Sequence, residues 1–309
     1  MIYISTKNMS RSEWLEARRR GIGGSDASAI MGQNPWASPL TVYLDKKGLA
    51  PEKPITGSMQ QGIDCEDVIA KAFERETGLK VKRCHKQFQH PDYPWMLANI
   101  DRQVVCNGFV GLECKSTSER NGDEFIDGAI PPNYFWQCQH YMAVTGAQEW
   151  YLEVMVFSVG YYAFRIPRDE NAIAQLIEAE RIFWHDHVLA GDPPYPSGIK
   201  NEIDMITGMY SGNLNENVIN VDDMRQQFEA LSLYELESKA LDAKIDSIKN
   251  TIRLRMGECT TAVCGRFKVT WKEQTRTGVD VKKLRAEQPE IFQKYVQTSV
   301  SRPLKIKEA

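Results

Sequence analysis

Asp101-Arg102-Gln103-Val104-Val105-Cys106-Asn107-Gly108-Phe109-Val110-Gly111-Leu112-Glu113-Cys114-Lys115 is the stretch that decides how this 309-residue chain is read. Asn107-Gly108 is a turn signal between two extended runs, 101–106 and 109–115. A two-residue turn would pair Asp101 with Cys114 and set Asp101 and Glu113 on opposite faces. A three-residue loop, Cys106-Asn107-Gly108 with Gly108 left-handed, pairs Asp101 with Glu113. It gathers Val104, Cys106, Val110, Leu112 and Cys114 on an apolar face, and Asp101, Gln103, Glu113 and Lys115 on a polar one. Because it sorts both faces at once, the three-residue loop is expected. Glu113 and Lys115 then point the same way, since strand side chains alternate. A hard oxygen ligand beside a cation suits a metal-activated water attacking phosphorus. An ordinary solvent-facing charged strand carries the same acid-x-Lys pattern.

Other residues point toward the same chemistry, each with a plainer alternative. Glu66 sits in a helical pattern over 59–77, with Gly62, Ile63, Ile69 and Ala70 three and four residues away. Its carboxylate therefore projects from the apolar stripe, where burial is costly unless it is paired or metal-bound. A Glu at the edge of the stripe, reaching back to water, is the alternative. Gln137 and Tyr141 share a face of the helix after Pro132, joined by Tyr134. An amide and a phenol can bond phosphate oxygens or water without adding charge, or be incidental to a core helix. Arg18, Arg19 and Arg20 precede the turn Gly21-Ile22-Gly23-Gly24 and Ser25. A Gly-rich turn and a helix start form a phosphate site, which Arg complements with a bidentate fork. A basic helix end answering the helix dipole is the other reading.

Composition bounds the answer without deciding it. The chain is 42% hydrophobic and 26% charged with a net charge of −3, so its total charge does not advertise a polyanion partner. Residues 261–309 hold eleven Lys/Arg against five Asp/Glu, a net +6 that leaves −9 for the rest. That tail is a candidate polyanion- or partner-binding segment, or a solvated basic face. Seven cysteines at irregular spacing argue against a disulfide framework, an iron–sulfur cluster or a zinc site. His85 and His140 are expected to be structural. With no signal-peptide pattern and no apolar run of spanning length, a cytosolic protein without a membrane segment is expected.

Helical and extended patterns alternate over residues 1–196, which read as one domain. Helices are expected near 12–19, from a Ser25-Asp26 cap to 31, over 40–47, over 59–77, from Pro132 to 145 and over 170–189. Strands are expected through 115, at 150–157 and at 161–166. Residues 197–220 read as a Gly/Asn-rich linker. The C-terminal extension, 221–309, reads as a long helix to about 256, strands within 262–271 and a short helix at 281–287. In that long helix Leu241, Ile245, Ile248 and Ile252 make a coiled-coil-like stripe.

Together these residues resemble the PD-(D/E)xK nuclease superfamily, and within it the lambda exonuclease and YqaJ-type viral recombinase group. The resemblance covers about residues 10–196. It rests on Trp14, Arg18, Gly23-Gly24 and Ser25; on Gly62 and Glu66; on Asp101 followed by Glu113-Cys114-Lys115; and on Gln137-Cys138-Gln139 with Tyr141. Ile100 stands where the family has Pro, and Asn99 where the lambda-type pattern has Ser. The fold implied is α/β (α+β), a mixed central sheet flanked by helices. The activity implied is Mg²⁺-dependent 5′→3′ degradation of one strand of linear duplex DNA, releasing 5′-mononucleotides and leaving a 3′ single strand. Two Mg²⁺ per site are implied, with Mn²⁺ as a substitute. Asp101, Glu113 and the Cys114 carbonyl would be ligands, and Glu66 would complete a second metal position or hold its waters. Lys115 would orient and help deprotonate the attacking water, and Gln137 would position water or phosphate. Arg18, Ser25, Asn99, Gln139 and Tyr141 would contact phosphate or DNA. A homo-oligomeric ring, often a trimer, a single-strand annealing partner and a phage, prophage or mobile-element origin complete the implication. A structure-specific endonuclease and a non-catalytic end-binding scaffold are the alternatives.

Overall fold

The computed structural model describes residues 1–50, 55–210, 217–297 and 304–306. Two compact units divide the chain, Met1–Leu214 and Asn215–Ala309.

In the first unit the order is β1 (Ile2–Ser5), α1 (Arg11–Arg19), α2 (Gly24–Ile30), α3 (Pro39–Lys46), α4 (Gly57–Thr77), β2 (Val81–Arg83), β3 (Lys86–Gln89), β4 (Leu97–Asn99), β5 (Arg102–Val104), β6 (Gly111–Thr117), α5 (Pro132–Thr145), β7 (Glu149–Val156), β8 (Gly160–Pro167), α6 (Glu170–Ile182) and α7 (Lys200–Met209). Local chemistry sets the helix ends. Ser10 and Glu13 form a reciprocal capping box on α1, and Thr56 caps α4. Gly78 and Gly146, both at φ +73°, stop α4 and α5 in the left-handed conformation that side chains resist.

Five strands pair in the order β2-β5-β6-β7-β8, all antiparallel except the parallel β6–β7 pair. Parallel neighbours need a long crossover, and α5 lies within it. A second sheet, β1-β3-β4, is antiparallel. This is the expected mixed sheet with helices. On one side Phe73 of α4 packs over Val104, Val110 and Leu112; elsewhere α5 buries Cys138, Tyr141 and Met142 with Trp150, Leu152 and Val154 of β7. Gly111 exists to make room: a Cβ there would lie 2.0 Å from the Trp150 ring. Gly111→Ala is expected to destabilise the first unit by about 2–4 kcal/mol through overpacking, read as a lower urea midpoint with an unchanged slope.

The hairpin adopts the three-residue-loop register. Arg102 pairs with Leu112 and Gln103 with Gly111, which sets Asp101 opposite Glu113. Gly108 has φ +105°. Cys106 departs from the expected apolar face: it lies exposed in the bend, past the last paired residue.

Three other expectations shift. Gly23, not Ser25, is the N-cap of α2, with Asp26 bonding back to the Gly23 amide at 2.9 Å. The helix expected over 170–189 is α6 followed by a wider π-turn, Phe183–Leu189. Within the stretch read as a linker, α7 packs Met205 against α3. Glu202 anchors it, accepting from the Ser38 hydroxyl at 2.5 Å and the Gly198 amide at 2.8 Å. The Gly/Asn content hid one buried methionine and one capping carboxylate; residues 211–216 of the stretch lie outside the described residues.

The second unit holds α8 (Arg225–Met256), the antiparallel hairpin β9 (Thr261–Cys264) and β10 (Phe267–Thr270), α9 (Val281–Glu287) and α10 (Pro289–Tyr295). Among the described residues no helix is long and apolar enough to cross a membrane.

Candidate active site

A cleft of about 410 Å³ opens where β4, β5 and β6 meet α1, α2, α4 and α5. Asp101 enters just before β5, and Glu113 and Lys115 project from one face of β6, as the alternation requires. Glu113 is 3% exposed, so this polar face lies under α5 and is not solvated. Lys115 Nζ lies 2.6 Å from Glu113 Oε1, and Gln137 Nε2 donates to the same oxygen at 2.6 Å. Gln137 Nε2 also donates to the Tyr141 phenol at 2.8 Å. Asp101 Oδ2 accepts from the Cys114 amide at 2.9 Å.

Burial, then the Glu113 charge, pushes Asp101 well above the usual carboxylate range. Burial alone would lower Lys115, but the Glu113 and Asp101 charges outweigh it, so its ammonium holds the proton more tightly than a free lysine. Glu113 Oε2 is buried with no hydrogen-bond partner. Two crowded carboxylates, one oxygen unpartnered, fit a hard divalent cation.

Glu66 is turned elsewhere. It is ion-paired to Arg102, whose guanidinium also reaches Asp67 Oδ1 at 2.6 Å and the Asp101 carbonyl at 2.9 Å. Accordingly, no group of three His, Cys, Asp or Glu side chains gathered to hold one ion is found among the described residues. Asp101 and Glu113 form the donor pair, and Glu66 lines the same cleft on Arg102.

On the opposite wall Arg18 stacks on Trp14 at 4.7 Å and donates to the Ser25 hydroxyl at 3.0 Å. Lys46, with a side chain 1% exposed, bonds Asp26 at 2.6 Å and the Arg18 carbonyl at 3.3 Å, fixing the end of α1 against the glycine turn. The Gly23 amide, expected in a phosphate cradle, is used by Asp26. Gly24 lets Tyr141 approach: a Cβ would lie 2.5 Å from its ring. Asn99 lines the cleft with a buried, unpartnered Oδ1.

The cleft thus brings together Arg18, Ser25, Glu66, Asn99, Asp101, Glu113, Lys115, Gln137 and Tyr141. Gln139 is not among them. It is fully buried, donating to the Pro167 carbonyl at 2.9 Å and accepting from the Asp169 amide at 3.0 Å, and so pins the β8–α6 turn. It sits two positions from Gln137, which on a helix is a different face. Of the two histidines, His140 is structural, bridging Glu180 at 2.7 Å and the Leu97 carbonyl at 2.9 Å. Burial lowers it, but the Glu180 charge outweighs that and raises it. His85 instead lines the cleft, beside Arg83 and Lys86.

Arg102 and Lys46 escaped the sequence reading, which took Asp26 only as part of a helix cap. A signal existed for Arg102: alternation puts it on the apolar face with Val104 and Leu112, so it needed an acid from α4. Lys46 carried none, since its partners are distant in sequence.

Three kinds of likeness accompany this geometry. Residues 13–148 match the YqaJ-like viral recombinase domain. An uncharacterized protein YqaJ of Bacillus subtilis (strain 168) is 33% identical over 314 residues, covering 99% of this chain and 97% of that protein. Among solved structures, LHK-Exo in complex with dAMP superposes with a TM-score of 0.50 at 23% identity, covering 59% of this chain and 94% of that one. Another LHK-Exo structure, an alkaline exonuclease from Laribacter hongkongensis, gives a TM-score of 0.49 with the same coverage and identity. At this identity the likeness is one of fold. With a relative this similar along nearly its whole length, the chain belongs to the YqaJ-like viral recombinase family.

Proposed function

We propose that this protein is a Mg²⁺-dependent 5′→3′ exonuclease on linear double-stranded DNA, releasing 5′-mononucleotides and leaving 3′ single strands for recombination by strand annealing. The observation that carries this is the buried pair Asp101–Glu113 beside Lys115, facing Arg18 and Ser25 across one cleft. With Glu66 answered by Arg102, the two carboxylates Asp101 and Glu113 beside a phosphodiester repel it unless a cation intervenes. Asp101, Glu113 and the Cys114 carbonyl would hold Mg²⁺, two ions per site with Glu66 serving the second once it leaves Arg102, and Mn²⁺ would substitute. The metal supplies an activated water and screens the phosphate charge. This chain's residues do the rest. Gln137 orients Glu113, both of its amide hydrogens being used on Glu113 and Tyr141. The Lys115 ammonium faces the phosphate and stabilises its growing charge. Arg18 and Ser25 hold the 5′ phosphate, which decides which bond is cut. The same reading makes the recipient of the 3′ strand a single-strand annealing protein and the working form a homo-oligomeric ring, a trimer by the resemblance. It makes the setting the cytoplasm of a bacterium carrying a phage, prophage or mobile element.

Three DNAs with Mg²⁺ test this: linear duplex with 5′ phosphate, linear duplex with 5′ hydroxyl, and closed circles. Mononucleotides from the phosphorylated linear duplex, with circles intact, are expected. Cut circles would replace this reading with an endonuclease, and binding without cleavage would replace it with an end-binding scaffold. Arg18→Ala is expected to slow digestion of phosphorylated ends about 10- to 100-fold and to leave hydroxyl ends nearly unaffected. Equal slowing on both ends would remove Arg18 from the phosphate pocket.

A further inference from the structure

α8 runs for 32 residues, and Met256 at its end is its one buried residue among those described. A helix of this length in water normally owes its stability to an apolar face packed on something. Its apolar face is open: Leu241 is 58% exposed, Ile245 39%, Ile248 63% and Ile252 39%. These four stand at alternating four- and three-residue steps, the a and d positions of a heptad seam. The seam is bounded by Ser238 before it and Arg255 after it, so the aliphatic run can be matched only by an equally short run.

We infer that this face pairs with the same face of a second copy of this chain, antiparallel, about a two-fold axis between Asp246 and Ser247. That register stacks Leu241 on Ile252 and Ile245 on Ile248 of the second copy, and the reverse, giving four aliphatic layers with no polar intruder. The flanking charges choose the direction. In the antiparallel pair Asp242 meets Lys249 of the second copy, twice by symmetry, and Lys244 meets Thr251. A parallel, in-register pair would instead oppose Lys244 to Lys249 and Glu237 to Asp242, like charge to like. Flanking charges of this kind set orientation in helical pairs, and a self-complementary patch of this kind is what a two-fold dimer requires. The inference stands apart from the nuclease reading and from any ring made by the first unit.

Sedimentation equilibrium of the full chain tests it. The double variant Ile245→Asp/Ile248→Asp is expected to have half the mass of the wild type, since a two-fold pair through α8 joins single chains, or rings of three, two by two. Equal masses overturn the proposal, as does a monomeric wild type, the outcome if α8 docks within its own chain. Lys249→Glu is expected to weaken association about 3- to 10-fold, and Asp242→Lys added to it to restore the wild-type mass, which also controls for folding. Tighter association of Lys249→Glu would mean a parallel pair and overturn the antiparallel one. An unchanged mass would overturn the role given to these charges.

Discussion

Lys115→Met is expected to lower mononucleotide release about 10³-fold or more while leaving the protein folded. The side chain sits between the Glu113 carboxylate at 2.6 Å and the Tyr134 ring at 5.6 Å, one quarter exposed toward the cleft. With both carboxylates close, it keeps its proton. It is therefore a positioned positive charge first, and a proton acceptor only once a divalent cation cancels the pull of Asp101 and Glu113. Either role is needed while the phosphorus is under attack, and neither is needed to dock a DNA end. Single-turnover rates should fall while the affinity for ends stays within a few-fold. Methionine keeps the length and the packing, and Glu113 retains Gln137, so the thermal transition should move little. A variant within tenfold of the wild-type rate would take Lys115 out of the chemistry and leave Asp101 and Glu113 as bystanders of some other site.

Glu153→Gln is expected to make the first unit more resistant to alkali than the wild type. Glu153 lies on β7 opposite Cys114 of β6, fully buried, and neither carboxylate oxygen has a hydrogen-bond partner. Burial first, then the Glu76 charge, raises it to about 8, with Arg75 opposing. Because the folded value lies above that of the unfolded chain, the favourable contribution is complete below about pH 4.5 and is lost as pH climbs through 8. Between pH 5 and pH 9 the wild type should lose roughly 2–5 kcal/mol through this one group. Glu153→Gln keeps the shape and removes the titration, so its urea midpoint should change much less over that interval. Parallel curves for the two proteins would show that the carboxylate finds a partner in solution.

The hairpin shows how far sequence alone reaches. Turn chemistry at Asn107-Gly108 and the two-residue period leave one register that sorts both faces, so the opposition of Asp101 and Glu113 is legible in the sequence. The helix ends at Gly78 and Gly146 were legible for the same reason: the information is local. Cys106 was misplaced because face sorting says nothing about where pairing stops. Gln139 was misplaced because a Gln-x-Gln motif shows two amides, while a helix turns them about 200° apart.

By itself, then, the sequence determined most of the strands and helices, though not β1, α7 or α10, and the carboxylate–lysine face, since these follow from backbone geometry and periodicity over a few residues; the mixed sheet followed from the family resemblance. Tertiary structure alone decided what surrounds that face. It buried Glu113 under Gln137, turned Glu66 onto Arg102, seated Lys46 beneath the Arg18 carbonyl and folded α7 onto α3. Those pairings join residues far apart in the chain. Each is settled by which buried charge can find a partner once the layers have packed, and no local pattern records that.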